Sequence, residues 1–324
     1  MRYSASSKYE IIRTVESSEL GITRTLGQLG IPKSTFYNWY DRYLTGGFDA
    51  LSDRKPRPVS VWNKVPQEQR RKLCDLALKE TDLSPRELAV RFTQENGYFI
   101  SEATTYRILK ENDLLTSPAW IVMKASEKFY NPTTAVNQLW QTDFTYLRVT
   151  GWGWYYLSTV MDDYSRYIIS WRLCTSMKAQ DVADTLADAL KVAGLEHKQR
   201  PRLLSDNGPC YISGDLKSWL KDHNMGHTRG KPYHPMTQGK IERWHRTMKD
   251  KILLDHYYLP SDLENEINNF ITNYNTRRYH ESLNNLTPED VWLGRGDNIL
   301  AQRKAIKDKT IKLRKQLYQQ QKAA

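Results

Sequence analysis

The stretch NQLWQTDFTYLRV (137–149), followed by GWGWYYLSTVMDDYS (151–165) and RYIISWRLCTS (166–176), decides the fold of this 324-residue chain. Three runs rich in aromatic and β-branched side chains are separated by turn signals, the first being Gly151-Trp152-Gly153. They read as an antiparallel three-strand meander. Further along, AQDVADTLADALKVAGL (179–195) reads as a helix with Val182, Leu186, Ala189 and Leu190 on one face and Gly194 as its stop. PRLLSDNG (201–208) is a short strand of buried type ending at Asp206, and SGDLKSWLKDHNM (213–225) is a helix. GHTRGKPYHPMTQ (226–238) is irregular, held by two prolines and two glycines, and GKIERWHRTMKDKILL (239–254) is again a helix.

The order βββ-α-β-α-(β)-α is that of an RNase H-like domain. Within it, three carboxylates stand out: Asp143 in the first strand, Asp206 at the end of the fourth, and Glu242 on the last helix, with 35 residues between Asp206 and Glu242. A strand gives one acid a rigid mount and a helix brings another in from the side. Hard divalent cations prefer carboxylate oxygens, and two of them roughly 3.5–4 Å apart can activate an attacking hydroxyl and stabilise a leaving oxygen on one phosphate. On the Glu242 helix, Ile241, Trp244, Met248 and Ile252 share an apolar face. Glu242, His245, Arg246 and Lys249 share the opposite face at i, i+3, i+4, i+7. Asp162 and Asp163, followed by Tyr164 and Ser165, read as a β-turn with Asx hydrogen bonds rather than as metal ligands.

The first 52 residues read as three short helices, KYEIIRTVESS, ITRTLGQLG and KSTFYNWYDRYL, with a Gly30-Ile31-Pro32 break before the third. That is the helix-turn-helix pattern. Lys33, Ser34, Thr35, Asn38 and Arg42 are its candidate DNA contacts, with Phe36, Trp39, Tyr40 and Tyr43 on the inner face. A basic, proline-rich linker spans 53–65, with Arg54, Lys55 and Arg57 placed to seek phosphate. Residues 66–117 read as a second helix-turn-helix-like module. It has an apolar stripe of Leu73, Leu76, Ala77 and Leu78, a capping box at Ser84-Pro85-Arg86-Glu87, and Thr104, Thr105 and Arg107 as candidate contacts. Reading DNA and bridging to the core stay equally open for this module. The core is placed at 125–258, a helical extension of it at 259–295, and a basic helical tail at 296–324. The tail carries eight Lys/Arg against Asp297 and Asp308, and reads either as a solvated tail or as a clamp on the DNA backbone.

Lys and Arg outnumber Asp and Glu 48 to 37, a formal charge of +11, which favours a polyanionic partner. Cys74, Cys174 and Cys210 lie far apart with no CxxC pair. This argues against a disulfide framework and a cysteine zinc site, and fits a reducing cytoplasm. No apolar run reaches membrane-spanning length, and the N-terminus has no stretch of signal-peptide type.

WQTDFTY, MDDYSR, SDNG, GKPYHPMTQGKIERWHRTMK and YNTRRYHESLNNLTPEDVW, in this order, resemble the DDE insertion-sequence transposases of the retroviral-integrase superfamily. The resemblance is strong over about 125–295 and looser over the helical N-terminal part. It implies an α/β catalytic core of RNase H-like type, a mixed five-stranded sheet with flanking helices, preceded by all-α helix-turn-helix modules. It places the family's three acids on Asp143, Asp206 and Glu242, as catalytic residues and as ligands of two Mg²⁺ ions, with Mn²⁺ able to substitute. Asp143 and Asp206 would share one ion, and one of them with Glu242 the other. Lys231, Lys240, Arg243, Arg246 and Lys249 are expected near the DNA, His234 lies in the loop beside them, and that loop is expected to order on DNA. Tyr274, Asn275, Arg278, His280, Leu283, Thr287, Pro288 and Val291 match the signature that follows the acids, and are expected to be structural.

The chain departs from retroviral integrases in lacking a His-His-Cys-Cys unit, and from many bacterial relatives in being continuous and without a sustained heptad. The implied function is a transposase that binds the terminal repeats of a mobile element, frees 3′-OH groups at its ends and joins them to target duplex. Such an enzyme would act as at least a homodimer on DNA, in the bacterial cytoplasm at the nucleoid, with no membrane partner. Two alternatives are a domesticated, catalytically silent sequence-specific DNA-binding protein and a ribonuclease acting on RNA–DNA hybrids.

Overall fold

The structure is a computed structural model that describes residues 3–18, 20–52, 61–115, 133–195, 200–230 and 238–323. Arg54, Lys55 and Arg57 of the linker, and Lys231 and His234 of the loop before Glu242, lie outside the described residues. Two compact units result, Met1–Lys64 and Val65–Ala324.

In the first unit, α1 (Ala5–Ser17), α2 (Ile22–Gln28) and α3 (Lys33–Gly46) pack around Ile12, Leu26, Phe36, Trp39 and Leu51. Ser4 caps α1 by accepting from the Ser7 amide. Pro32 is the N-cap of α3 rather than its first helical residue. Gly30, at φ +66°, takes the left-handed turn that sends the chain from α2 into α3. Lys8 is buried and donates to the Leu51 carbonyl, which ties the end of the unit back to α1.

The second unit begins with α4 (Gln67–Lys79), α5 (Pro85–Asn96) and α6 (Glu102–Glu111). The expected capping box is formed: Ser84 Oγ accepts from the Glu87 amide and Glu87 returns the bond to Ser84. Leu73 is fully buried, but Leu78, read as part of the same stripe, is 62% exposed. It sits beside the apolar face, one residue past Ala77, and the helical period carries it to solvent.

The meander appears as β1 (Leu139–Val149), β2 (Gly153–Asp162) and β3 (Ile168–Cys174). Helix α7 (Ala179–Val192) leads to β4 (Arg202–Ser205), then α8 (Pro209–Ile212), α9 (Gly214–Asp222) and β5 (His227–Arg229). The five strands form one sheet in the order β3-β2-β1-β4-β5, antiparallel across β1–β2–β3 and parallel across β1–β4–β5. This is the mixed RNase H-like sheet the sequence implies. One face is covered by α7 and α9 over Trp140, Val160, Leu186 and Leu203. The other is covered by α10 (Gly239–Ile252) and α11 (Pro260–Arg277) over Leu147, Leu157, Met161, Trp244 and Ile267. Strand alternation sorts β1 between the two cores: Trp140 faces the first, Leu147 and Val149 the second.

The outer edge of β3 is closed by a side chain. Asn275 Oδ1 accepts from the Ile168 amide and its Nδ2 donates to the Ile168 carbonyl, both at 3.0 Å. One asparagine thus satisfies both backbone groups of an edge residue and pins α11 to the sheet. Beyond α12 (Pro288–Trp292), α13 (Gly296–Ala323) is one long helix. It is neither a free tail nor an unengaged basic arm. Thr310 and Arg314 are buried, Thr310 Oγ1 accepts from the Phe99 amide, and Arg314 donates to Tyr98 Oη and to the Phe99 carbonyl. Arg86 on α5 bonds to Asn285 and to the Tyr279 carbonyl. The helices of 66–115 are therefore tied to the segment after the sheet.

Asp162 accepts from the Ser165 amide and hydroxyl, the Asx turn its sequence suggests. Asp163 does something else. Its carboxylate, nearly inaccessible, pairs with Lys240 Nζ at 2.7 Å and accepts from Gln141 Nε2 and Thr133 Oγ1, both at 2.6 Å. Burial pushes the Asp163 carboxyl up, but the Lys240 charge and these hydrogen bonds outweigh it and hold the group below the usual carboxylate range. A carboxyl depressed on folding contributes stability above its unfolded value and loses it as pH falls through the folded value. Asp163→Asn should therefore unfold at lower denaturant than the parent at pH 7. The gap should close as pH falls below about 4, and Asp163→Ala, which strands the buried ammonium, should cost about 3–5 kcal/mol at pH 7. Urea unfolding followed by circular dichroism from pH 3 to 8 measures both.

Candidate active site

Strands β1 and β4 run parallel and their last register pair is Gln141 with Leu204. Asp143 and Asp206 each stand two residues beyond that pair, on the same side of the sheet where the two strands part. The buried side chain of Gln238, the N-cap of α10, lies between them. Its Nε2 donates to the Thr142 carbonyl at 3.2 Å and the Leu204 carbonyl at 3.4 Å, one from each strand. Gln141 Oε1 accepts from the Ile241 amide, so both strands and the first turn of α10 are held together. Glu242 projects from that first turn and is exposed.

Asp143 is close enough to act on each of the other two acids. Burial and the repulsion of Asp143 raise the Asp206 carboxyl, against the pull of a hydrogen bond from the Gly208 amide at 2.8 Å. Burial and Asp143 also raise Glu242, against Arg246, His245 and Arg243. Gly208 keeps this turn uncrowded, since a Cβ there would stand 3.0 Å from Asp206 Oδ1. Asp143 Oδ1 accepts from the Phe144 amide at 2.8 Å, and Oδ2 faces His245 Nδ1 at 3.3 Å. Among the described residues no three Asp, Glu, His or Cys side chains are gathered tightly enough to cage a metal as they stand. The donor set still suits a hard divalent cation: carboxylate oxygens, two of the acids carrying surplus negative charge that a cation would relieve.

His245, which the sequence sets among the cations on the Glu242 face, departs from that reading. It shares a helix face with Glu242, yet it is buried rather than offered to phosphate, and its Nε2 has no hydrogen-bond partner among the described residues. Its only signal in sequence is its place three residues after Glu242. Lys240 also departs from its expected role, since its ammonium is engaged with Asp163 inside the fold. Arg243 and Arg246 are exposed on α10, and Lys249 lies half-buried with its ammonium 4.3 Å from the Tyr146 ring centroid. In the second helical module Thr105 is fully buried beside Ile108 and Leu109, so it cannot reach a base edge. Thr104 serves the Ser101 cap, and Arg107 is exposed. In the first unit Lys33, Ser34 and Asn38 are exposed along α3, Thr35 is half-buried, and Arg42 donates to the Ser52 carbonyl.

The signature after the acids is structural in its placement. Asn275 closes the sheet edge, and burial pushes the Tyr274 hydroxyl up to about 12. Burial, with Arg278, Arg166 and other arginines nearby, pushes His280 down to about 3, so it stays neutral.

Comparison with known families agrees with this geometry. Residues 133–235 and 223–288 each match an integrase core domain, residues 7–58 a helix-turn-helix domain, and residues 35–109 a homeodomain-like domain. The chain is 31% identical over 161 residues to the transposase for insertion sequence element IS904 of Lactococcus lactis subsp. lactis, covering 48% of this chain and 62% of that one. It is 32% identical over 158 residues to transposase InsF for insertion sequence IS3A of Escherichia coli, covering 47% of this chain and 53% of that one. The chain thus spans less than two thirds of the length of these curated relatives. The catalytic core domain of HTLV-2 integrase, solved in complex with magnesium, is 21% identical with a TM-score of 0.39, covering 49% of this chain and 97% of that one. No helix among the described residues is long and apolar enough to cross a membrane. The chain thus matches integrase core domains over 133–288 and helix-turn-helix and homeodomain-like domains over 7–109, and over about half of its length it is similar to insertion-sequence transposases.

Proposed function

We propose that the chain cuts DNA at the ends of a mobile element and joins the freed 3′-OH groups to target DNA, with Asp143, Asp206 and Glu242 as the catalytic acids. The observation that carries this reading is the convergence of three acids, far apart in sequence, at the point where β1 and β4 separate, with Asp143 repelling both of the others. Such crowding is unfavourable for the fold alone and is the pattern expected where carboxylates are kept for chemistry.

The three acids would hold two Mg²⁺ ions, or Mn²⁺ in their place. Bound there, the ions would supply a water or hydroxyl of lowered pKa and neutralise charge on the phosphate. The protein's own part is positional. The clamp of Gln238, Gln141, Asp163 and Lys240 fixes where Glu242 enters, and Gly208 lets the Asp206 carboxylate turn tightly. In-line displacement at phosphorus asks mostly for positioning and charge neutralisation. Exposed Arg243 and Arg246 on α10 would take DNA phosphates beside the acids, and α3 of the first unit, with Lys33, Ser34 and Asn38 outward, would read the terminal repeat in the major groove. Two ends must be brought together, so the working form on DNA would be at least a dimer, in the cytoplasm at the nucleoid.

Replacing any of the acids by its amide, Asp143→Asn, Asp206→Asn or Glu242→Gln, should lower cleavage and joining of end-labelled terminal-repeat duplex by about 10³-fold or more. Binding of the same duplex in a gel-shift should change less than threefold. Full activity in all three amide variants would sink the assignment.

The same substitutions test the electrostatics. A carboxyl raised on folding costs stability while it is ionised, and that cost fades as pH falls through its folded value. Asp206→Asn keeps the oxygen that accepts from Gly208, and so should unfold at a higher temperature than the parent at pH 7–8, with the gain vanishing near pH 3. Millimolar Mg²⁺ or Mn²⁺ should raise the melting temperature of the parent and raise that of Asp206→Asn much less. Differential scanning fluorimetry reads both.

A further inference from the structure

The turn end of the β1–β2 hairpin carries aromatic surface that the fold does not use. Tyr146 and Trp154 are 58% and 53% exposed, although both lie inside strands. Their rings meet edge to face, with centroids 5.4 Å apart and planes at 80°. Past the Gln141–Leu204 pair no strand among the described residues partners β1 on its β4 side, and α10 packs against it there. Lys249 reaches across from that helix to put its ammonium 4.3 Å from the Tyr146 centroid. Lys249 lies seven residues past Glu242, two helical turns or about 10 Å along α10, and feels the charge of Asp143. On the other flank, exposed Arg148 stands directly opposite Trp154 in the register. The stretch from Phe144 to Thr159 contains no acidic residue.

A cross-strand aromatic pair supports a hairpin by itself. That role does not explain why both rings stay more than half in solvent, or why a cation stands on each side. Two exposed rings, one under the Lys249 ammonium and the other opposite Arg148 in the register, on the hairpin that carries Asp143, match the chemistry of an unpaired nucleotide: a base to stack and a phosphate to neutralise. We propose that Tyr146 and Trp154, with Lys249 and Arg148, form a stacking subsite for unpaired bases of the DNA strand that leaves the catalytic acids. The inference rests on the DNA-processing function proposed above and adds a preference: the site holds an end whose terminal pairs have opened. Stacking there would trap the opened end and keep the cut strand in line with the acids.

The test uses the full chain with a chelator present, so that no strand is cut. Two duplexes of one terminal-repeat sequence are compared, one fully paired and one with three unpaired bases at its end, with 2-aminopurine at an unpaired position. The parent should bind the opened duplex more tightly and quench its fluorophore. Tyr146→Ala and Trp154→Ala should each weaken binding of the opened duplex by about tenfold, the loss of roughly one stacked base. They should weaken binding of the paired duplex less than twofold and leave the far-UV spectrum unchanged. Tyr146→Phe and Trp154→Phe, which keep a ring, should stay within about threefold of the parent. Equal losses on both duplexes, no loss on either, or Phe variants as weak as the Ala variants would each overturn the subsite. Abolition of cutting in Asp206→Asn alongside such a failure would leave the proposed function standing. Undiminished cutting in the three amide variants, alongside a selective loss in the Ala variants, would do the reverse.

Discussion

Everything at the candidate site depends on how the start of α10 is fixed to the sheet, and that is done with buried polar groups rather than with apolar packing. Gln238 spans the carbonyls of Thr142 and Leu204, Gln141 takes the Ile241 amide, and the same Gln141 donates to Asp163, which pairs with Lys240. Apolar contacts alone would let a helix slide or roll at small cost, because dispersion and burial are non-directional. A hydrogen-bonded clamp has one geometry, and each broken bond leaves a buried group unsatisfied at about 1–3 kcal/mol. Ile241, Trp244, Met248 and Ile252 supply the adhesion of α10, and the clamp supplies its register.

The clamp and the acids divide the charge of the region between them. Asp163 and Lys240 neutralise each other in the interior, and Asp163 is stabilised as an anion. Asp206 and Glu242 lie closer to solvent and are pushed the other way, by burial and by Asp143. At one end of the sheet, therefore, Lys240 holds the buried Asp163 below the usual carboxylate range, while Asp206 and Glu242 are raised above it.

This division also explains what could be read from the sequence. The meander, the helices, the capping box at Ser84 and the three acids all announce themselves through local patterns: alternation, periodicity, a cap residue, a motif. Asp163 could not be told from Asp162 in that way. They are adjacent, at the end of a strand and the start of a turn, but Asp163 meets a lysine 77 residues away. Lys240 looked like a phosphate contact for the same reason, and Thr105 like a base contact: a polar residue on a helix is assigned outward until a distant partner or a core is known. His245 shows the converse, since helical spacing placed it beside Glu242 but gave no sign that it is buried against Asp143. Local physics is written locally; pairings across the fold are not.

The C-terminal helix follows that rule at larger scale. Its composition is that of a basic tail, and residues indistinguishable in sequence from their neighbours dock it: Thr310, Arg314 and Lys307 on Phe99 and Tyr98, and Arg303 on the Asn284 and Asn285 carbonyls. Arg314 spends its guanidinium on a hydroxyl and a carbonyl, with its plane over the Tyr98 ring at 4.8 Å, so its charge is used for packing inside the protein. Together with the Arg86 bonds to the 279–285 segment, this makes the 66–115 helices part of the scaffold that carries the core.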